Sequence, residues 1–299
     1  MVINDPFWPR ADVWLAQEAD DPQIRVVGVP SSSASLSPSR ADMTPQAVRQ
    51  RFSRFSTFHG EWEIDFSALT VYDEGNWPVS PLDMHEMPDR VEALARELPD
   101  TPLTLFLGGD NAITRPLVNS FGDLSRIGVI TFDAHHDVRT LDLGPTNGSP
   151  IRGLIEQDGL VGAHVSQIGI HSFANSLAYR EYCDDQYISV ATVAEVERAG
   201  IGYVVLGAIE RLLARCDVIY VDVDVDVLDA SVAPGCPGAR PGGLDLRTLA
   251  EGVRICASHP RVRAIDFVEV DAQADVSGVT LDAMAHLVLS ACAGFTERI

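Results

Sequence analysis

Two acidic clusters stand directly behind apolar runs in this chain: Asp133-Ala134-His135-His136-Asp137 and Asp222-Val223-Asp224-Val225-Asp226. Carboxylates at the ends of buried strands are unfavourable unless something positive compensates them, so the two clusters are expected to converge on divalent metal. Asp133, His135 and Asp137 alternate, and an extended chain end would turn all three to one face, leaving His136 to pack behind them. Asp224 and Asp226 repeat the alternation, with Asp222 one step deeper and Asp229 beyond. Carboxylates with an imidazole suit Mn²⁺, Fe²⁺ or Zn²⁺, and shared carboxylates can hold two ions about 3.5–4 Å apart. The chemistry of such a centre is hydrolysis by an activated water, with no covalent intermediate. A single cluster would read better as a solvated rim, and the pair could also be two separate calcium-like loops. Two, each behind an apolar run and one containing His, favour a metal site.

Elements that would position these groups recur along the chain. Continuous apolar, β-branched runs at Ile24 to Pro30, Leu103 to Leu107, Ile127 to Phe132, Val165 to Ile170, Val218 to Val223 and Val262 to Val268 suit strands covered on both faces of a mostly parallel sheet. Helices are predicted between them: Thr44 to Phe58, Pro88 to Leu98, Ala112 to Phe121, Ile151 to Gln157, Val193 to Gly200, Gly207 to Ala214, Leu246 to His259 and Leu281 to Cys292. Asp245 and Thr280 are the expected caps of the last two. The Gly/Pro-rich segments Leu143 to Pro150 and Ala233 to Gly243 follow the acidic clusters, so their loops belong at the mouth of the site rather than between domains. Residues 1–299 are expected to form a single domain.

Composition narrows the partners. With 43 acidic against 22 basic residues and a formal charge of -21, nucleic acid and anionic membranes are disfavoured. The first residues, Met1 to Glu18, lack a basic segment followed by an apolar one, and no uninterrupted apolar stretch is long enough to span a bilayer, so a cytoplasmic location is the default. The five cysteines are dispersed without CxxC spacing, which indicates neither a disulfide framework nor a thiolate zinc site.

The motifs Gly108-Gly109-Asp110-Asn111, Asp133 to Asp137 and Asp224 to Gly235, with Gly242 to Leu244 and Phe267 to Asp271, resemble the signatures of the ureohydrolases, the manganese enzymes that include arginase, agmatinase and formimidoylglutamase. The resemblance covers about residues 24 to 295. It implies a three-layer α/β/α fold with a central, mostly parallel eight-stranded sheet, a binuclear manganese centre at its carboxyl edge, and a homo-oligomer. Asp133 and Asp224 would bridge both ions, Asp137 would complete the first site, and His135 with Asp226 the second. Glu269 matches the family glutamate beside the amidine, Asp137 would also relay a proton, and His171 is a candidate proton carrier. Asn111 departs from the pattern, which usually has His as a ligand of the first ion. Since a neutral amide is a weak ligand, the first site is expected to be weak or empty, and Asp110 beside it to be a structural acceptor.

Specificity resides in the loops. Gly144 to Arg152, Gln167 to Asn175 and Ala233 to Pro237 look most like formimidoylglutamases, and Asn147 stands where arginases and agmatinases usually have His. The implied substrate, N-formimidoyl-L-glutamate, carries two carboxylates. Arg152 is the expected clamp for one, Asn147 and Ser149 donors to the other, and Arg180 a weaker alternative. Agmatinase, guanidinobutyrase or another ureohydrolase activity stays open, as does a noncatalytic relative with an impaired metal site. His164, His259 and His286 carry no assignment.

Overall fold

A computed structural model describes Asp5 and residues 7–298, so the first residues of the amino-terminal segment discussed above lie outside the described residues. In chain order the strands are β1 (Ile24–Val29), β2 (Phe58–His59), β3 (Ile64–Asp65), β4 (Val71–Asn76), β5 (Leu103–Gly108), β6 (Ile127–Phe132), β7 (Val165–Ile170), β8 (Ser189–Thr192), β9 (Val218–Asp224) and β10 (Val262–Val268). β2 and β3 form a small antiparallel pair. The other eight make one sheet in the order β4-β1-β5-β10-β9-β6-β7-β8, with every pairing parallel. The six apolar runs are the six inner strands, within two residues at their ends.

The core lies on both sides of this sheet, and the alternation within single strands shows it. On β1, Ile24 and Val26 join one apolar layer while Val27 and Val29 join the other; on β9, Ile219, Val221 and Val223 face one layer and Tyr220 the other. Helices cover both layers, which is the three-layer α/β/α architecture expected. The helices Leu246–Ser258 and Val279–Phe295 pack on each other on one side. The second is part of a segment, Val279–Arg298, long and apolar enough to cross a membrane by length and composition alone; it is interrupted by Asp282, and 78% of its most apolar window is buried inside the fold, as in a core helix.

Several element ends differ from expectation. Asp245 does cap its helix, accepting from the Thr248 N–H. Thr280 lies inside the last helix, whose cap position is Gly278, and its hydroxyl instead accepts from Gly235 N–H at 2.8 Å. The helix from Thr44 stops at Arg51 and passes through a 3-10 turn, Phe52–Arg54, into extended chain, short of Phe58. The helix predicted from Gly207 begins six residues earlier, at Ile201. The edge strands β4 and β8 and the helices Ala11–Leu15 and Leu177–Asp185 were not anticipated.

Candidate active site

The candidate catalytic residues leave the carboxyl ends of the four central strands β5, β10, β9 and β6, the place where an open parallel sheet presents its ligand crevice. β5 delivers Gly109 to Asn111. Gly109 N–H bonds Val29 O at 3.1 Å and its carbonyl accepts from Glu269 N–H at 2.9 Å. A Cβ on Gly109 would stand 2.0 Å from Ser31 O, so only glycine allows the two loops to meet there. Asp110 is fully buried and accepts from Ala34 N–H (3.0 Å), Ser31 Oγ (3.3 Å) and Ser35 Oγ (3.4 Å), as a loop-holding acceptor; burial pushes its carboxyl up to about 6.

β6 ends at Phe132, and the chain bends rather than continuing extended. Asp137 sits in the left-handed region at φ 52, so the acids of this segment converge through a bend and not through strand alternation. Asn175 holds the bend, accepting from His136 N–H at 2.9 Å and donating to Ala134 O at 3.0 Å. His136 turns away as expected, its Nδ1 2.6 Å from Gln167 Oε1. On β9, Asp224 Oδ1 accepts from Asp226 N–H at 2.8 Å as the cap of a 3-10 turn, again replacing the expected alternation.

Asp133, His135 and Asp226 offer donor atoms within 4.8 Å of one another, a grouping of metal-ligand type that stands alone among the described residues. His135 Nδ1 lies 3.1 Å from Asp226 Oδ2 and 3.5 Å from Asp133 Oδ1. Asp137 and Asp224 stand in the same electrostatic neighbourhood, and burial with the surrounding carboxylates pushes both well above the usual carboxylate range. His135, despite its burial, is pushed up to about 11 by Asp226 and Asp133. Deeper, Asp222 Oδ1 is buried with no partner. A floor of buried acids whose ion-pair partner is one imidazole is short of positive charge, and an all-oxygen-plus-imidazole donor set fits a divalent first-row ion.

The amide of Asn111 points into this floor. Its Nδ2 donates to Asp137 Oδ2 at 2.5 Å, while Oδ1 accepts from Thr114 Oγ1 at 2.7 Å. Thr114 Oγ1 and Tyr220 OH also lie 2.7 and 2.8 Å from Asp266 Oδ2, so a buried chain of polar groups supports the amide. Glu269, likewise in the left-handed region at φ 66, accepts through Oε1 from Asn111 N–H (2.7 Å) and Asn147 Nδ2 (3.0 Å). Burial and nearby Asp110 push Glu269 up to about 8. Two catalytic-candidate carboxylates on strained backbone mark where structure yields to function.

A cavity of about 160 Å³ opens over these groups, lined at its floor by His135, Asp137, Asp224, Asp226 and Glu269. Asn147 lines it too. The other expected substrate residues do not. Arg152 stacks over the Tyr182 ring at 4.1 Å with Glu156 at 3.6 Å, away from the cavity lining. Ser149 is buried and donates to Thr146 O; Arg180 pairs with Asp184 on its own helix. His171 Nε2 lies 2.9 Å from Val227 O and does not line the cavity. In their place the wall presents Ser35, Ser37, Asn175, Tyr179, Arg139 and Arg240. Arg139 was within reach of sequence reading, two residues past Asp137, and Arg240 stands in the Gly/Pro-rich loop already placed at the mouth. All five cysteines are buried and unpaired.

The raised acids and His135 give a pH dependence with a definite sign. His135, raised above its unfolded value, contributes stability that is present below about pH 6.5 and lost as pH climbs toward 11. Asp137 and Asp224, raised by burial, destabilise the metal-free fold as they ionise above the unfolded value. Ligation needs the deprotonated forms, so metal binding releases protons and strengthens with pH. Thermal melts with and without Mn²⁺ should therefore show a stabilisation that grows from pH 6 to pH 8.5, reaching about 3 kcal/mol when free ion exceeds Kd a hundredfold. A metal-induced shift independent of pH would contradict this assignment of the cluster.

The parallel sheet carries at its carboxyl edge an acid-and-imidazole cluster of the kind that can hold a divalent metal. The chain belongs to the arginase family, whose profile matches residues 22–294. It is 38% identical over 270 residues to the formimidoylglutamase of Halalkalibacterium halodurans, covering 89% of this chain and 85% of that one. Against the Bacillus subtilis formimidoylglutamase it is 36% identical over 287 residues, covering 94% and 89%. The crystal structure of the Bacillus subtilis formimidoylglutamase superposes with a TM-score of 0.91 at 33% identity, covering 98% of this chain and 94% of that one.

Proposed function

We propose that this protein hydrolyses N-formimidoyl-L-glutamate to L-glutamate and formamide as a manganese-dependent enzyme. Its similarity to formimidoylglutamases supports the reading. The observation that carries it is the tie between Asn147 and Glu269: the Asn147 amide accepts from Leu36 N–H at 3.0 Å and donates to Glu269 Oε1 at 3.0 Å, fixing the catalytic carboxylate to the loop that sets specificity.

Glu269 Oε1 is occupied by its two donors, which leaves Oε2 to accept from the formimidoyl nitrogens. A carboxylate facing a planar cation holds the reacting carbon in one orientation. Manganese, held by Asp133, His135, Asp137, Asp224 and Asp226 with Asn111 beside the first position, would supply Lewis acidity and lower the pKa of water at neutral pH. Asp137, kept in place by Asn111 Nδ2, takes the proton of the attacking water and delivers it to the glutamate nitrogen as the C–N bond breaks. Water thus ends on formamide and the amine leaves as glutamate.

The test is formation of glutamate and formamide by metal-stripped protein titrated with Mn²⁺, with bound metal counted in parallel. Arginine, agmatine, 3-guanidinopropionate and 4-guanidinobutyrate serve as competitors. Metal-dependent turnover with the highest kcat/KM on N-formimidoyl-L-glutamate is expected. Faster turnover of a guanidino compound would replace the substrate, and full metal loading without turnover of any would point to a silent relative.

A further inference from the structure

Two guanidinium groups line the cavity above a floor of carboxylates, and among the described residues neither has an ion pair or a hydrogen bond from its side chain. Both are exposed at the mouth. Most of the other arginines bind a carboxylate, as Arg25, Arg49, Arg51 and Arg115 do. In a chain of charge -21, two cations kept free beside the catalytic cavity call for an anion from outside.

Both positions are built. Arg139 N–H bonds Gly148 O at 2.9 Å, and the side chain runs across Gly148, where a Cβ would stand 2.6 Å from Arg139 Cδ and 2.9 Å from Nε. The missing side chain at 148 is thus the bed of this arginine. Arg240 is held through its backbone: its carbonyl accepts from Ala230 N–H at 3.1 Å, and Asp229 pins the adjoining turn by accepting from Gly242 N–H at 2.6 Å. Fixed main chain beneath a flexible charged head suits a clamp that closes on a carboxylate.

We infer that Arg139 and Arg240 form the subsite for the two carboxylates of the substrate and select dicarboxylate amidines over cationic or monocarboxylate ones. This rests on the reading above, and it moves the clamp from Arg152 to residues on the cavity wall. The cavity then has two poles. Glu269 and Asp137 at the floor take the amidinium end, and the guanidiniums at the mouth take the anionic end. A ligand without carboxylates leaves both arginines unpaired, whereas a dicarboxylate satisfies both.

The experiment compares Arg139→Met, Arg240→Met and Arg139→Lys with Arg90→Met, an exposed arginine outside the cavity, in Mn²⁺-loaded enzyme. It reads KM and kcat for N-formimidoyl-L-glutamate, inhibition by L-glutamate and by glutarate, and the dependence of each on salt. Charge-assisted pairs at an exposed mouth predict a rise in KM and in both inhibition constants of roughly tenfold per methionine substitution. Smaller changes are expected in kcat, with partial retention in Arg139→Lys and a flattened salt dependence. Arg90→Met should behave as the unsubstituted enzyme. If that enzyme turns over the substrate and the methionine variants keep their KM and inhibition constants within twofold, the subsite assignment falls while the proposed reaction stands. If no dicarboxylate amidine is hydrolysed yet glutarate binds and each methionine variant loses that binding, the subsite stands and the proposed reaction falls. Neither turnover nor glutarate binding would overturn both.

Discussion

Replacing Asp224 with alanine is expected to lower metal-dependent turnover by at least about 10²–10³-fold, the scale on which loss of a single preorganised electrostatic element is felt. Asp224 acts twice. Its carboxylate belongs to the buried floor, and its Oδ1 holds the Asp226 N–H that starts the following turn. Removing it takes away one of the proposed metal ligands and loosens Asp226, the partner of His135. Asp224→Asn separates the two roles, because the amide oxygen keeps the hydrogen bond and only the charge is lost. Burial, and then the like charges of Asp226, Asp133, Glu269 and Asp137, disfavour a charged Asp224, so losing its charge should also stabilise the metal-free protein. We expect Asp224→Asn to melt about 2–4 °C higher than the parent without metal, for about 1 kcal/mol relieved, and to gain less from Mn²⁺. Turnover and metal content near normal in either variant would remove Asp224 from the centre.

The inner strands were legible because burial on both faces leaves no freedom of composition: an unbroken apolar run such as Ile127 to Phe132 has few alternatives once its length is that of a strand. β4, Val71–Asn76, carries Asp73, Glu74 and Gly75 and is half-exposed at the sheet edge, so its sequence has none of that signature, and β8 is half-buried throughout. The acidic clusters were legible for the same energetic reason, since a carboxylate behind an apolar run demands an explanation. How they converge was not. Alternation predicted an extended presentation, whereas the bend that ends in the left-handed Asp137 depends on a partner far along the chain, Asn175 holding Ala134 and His136, and the cap by Asp224 is a local turn that alternation does not foresee. The position of Arg152 outside the cavity lining has a related cause. Arg152 sits in a polar loop-to-helix segment whose sequence looks like a binding loop, but the Tyr182 ring that captures its guanidinium lies on a helix that the sequence reading missed.

Glu269→Gln should lower kcat/KM for the amidine substrate by roughly 10²–10³-fold while leaving bound metal unchanged, and this contrast with Asp224 makes it the sharper probe of catalysis. The glutamine is isosteric. Its oxygen can still accept from Asn111 N–H and Asn147 Nδ2, and its backbone N–H still donates to Gly109 O, so the left-handed turn and the loop stay in place. What changes is the second terminal atom, an acceptor that becomes a donor facing the formimidoyl nitrogens, themselves donors. A cation that met a carboxylate then meets an NH₂ group, so pairing is lost and a donor is left opposed to donors. If Glu269 binds ground and transition states alike, the loss falls on KM; if it holds charge that develops only as water adds, kcat and kcat/KM fall together. Steady-state kinetics with metal counted in the same samples separates the two. A Gln variant with unaltered kcat/KM would show that the carboxylate at the end of β10 only supports the loops, and orientation of the amidine would then pass to Asp137.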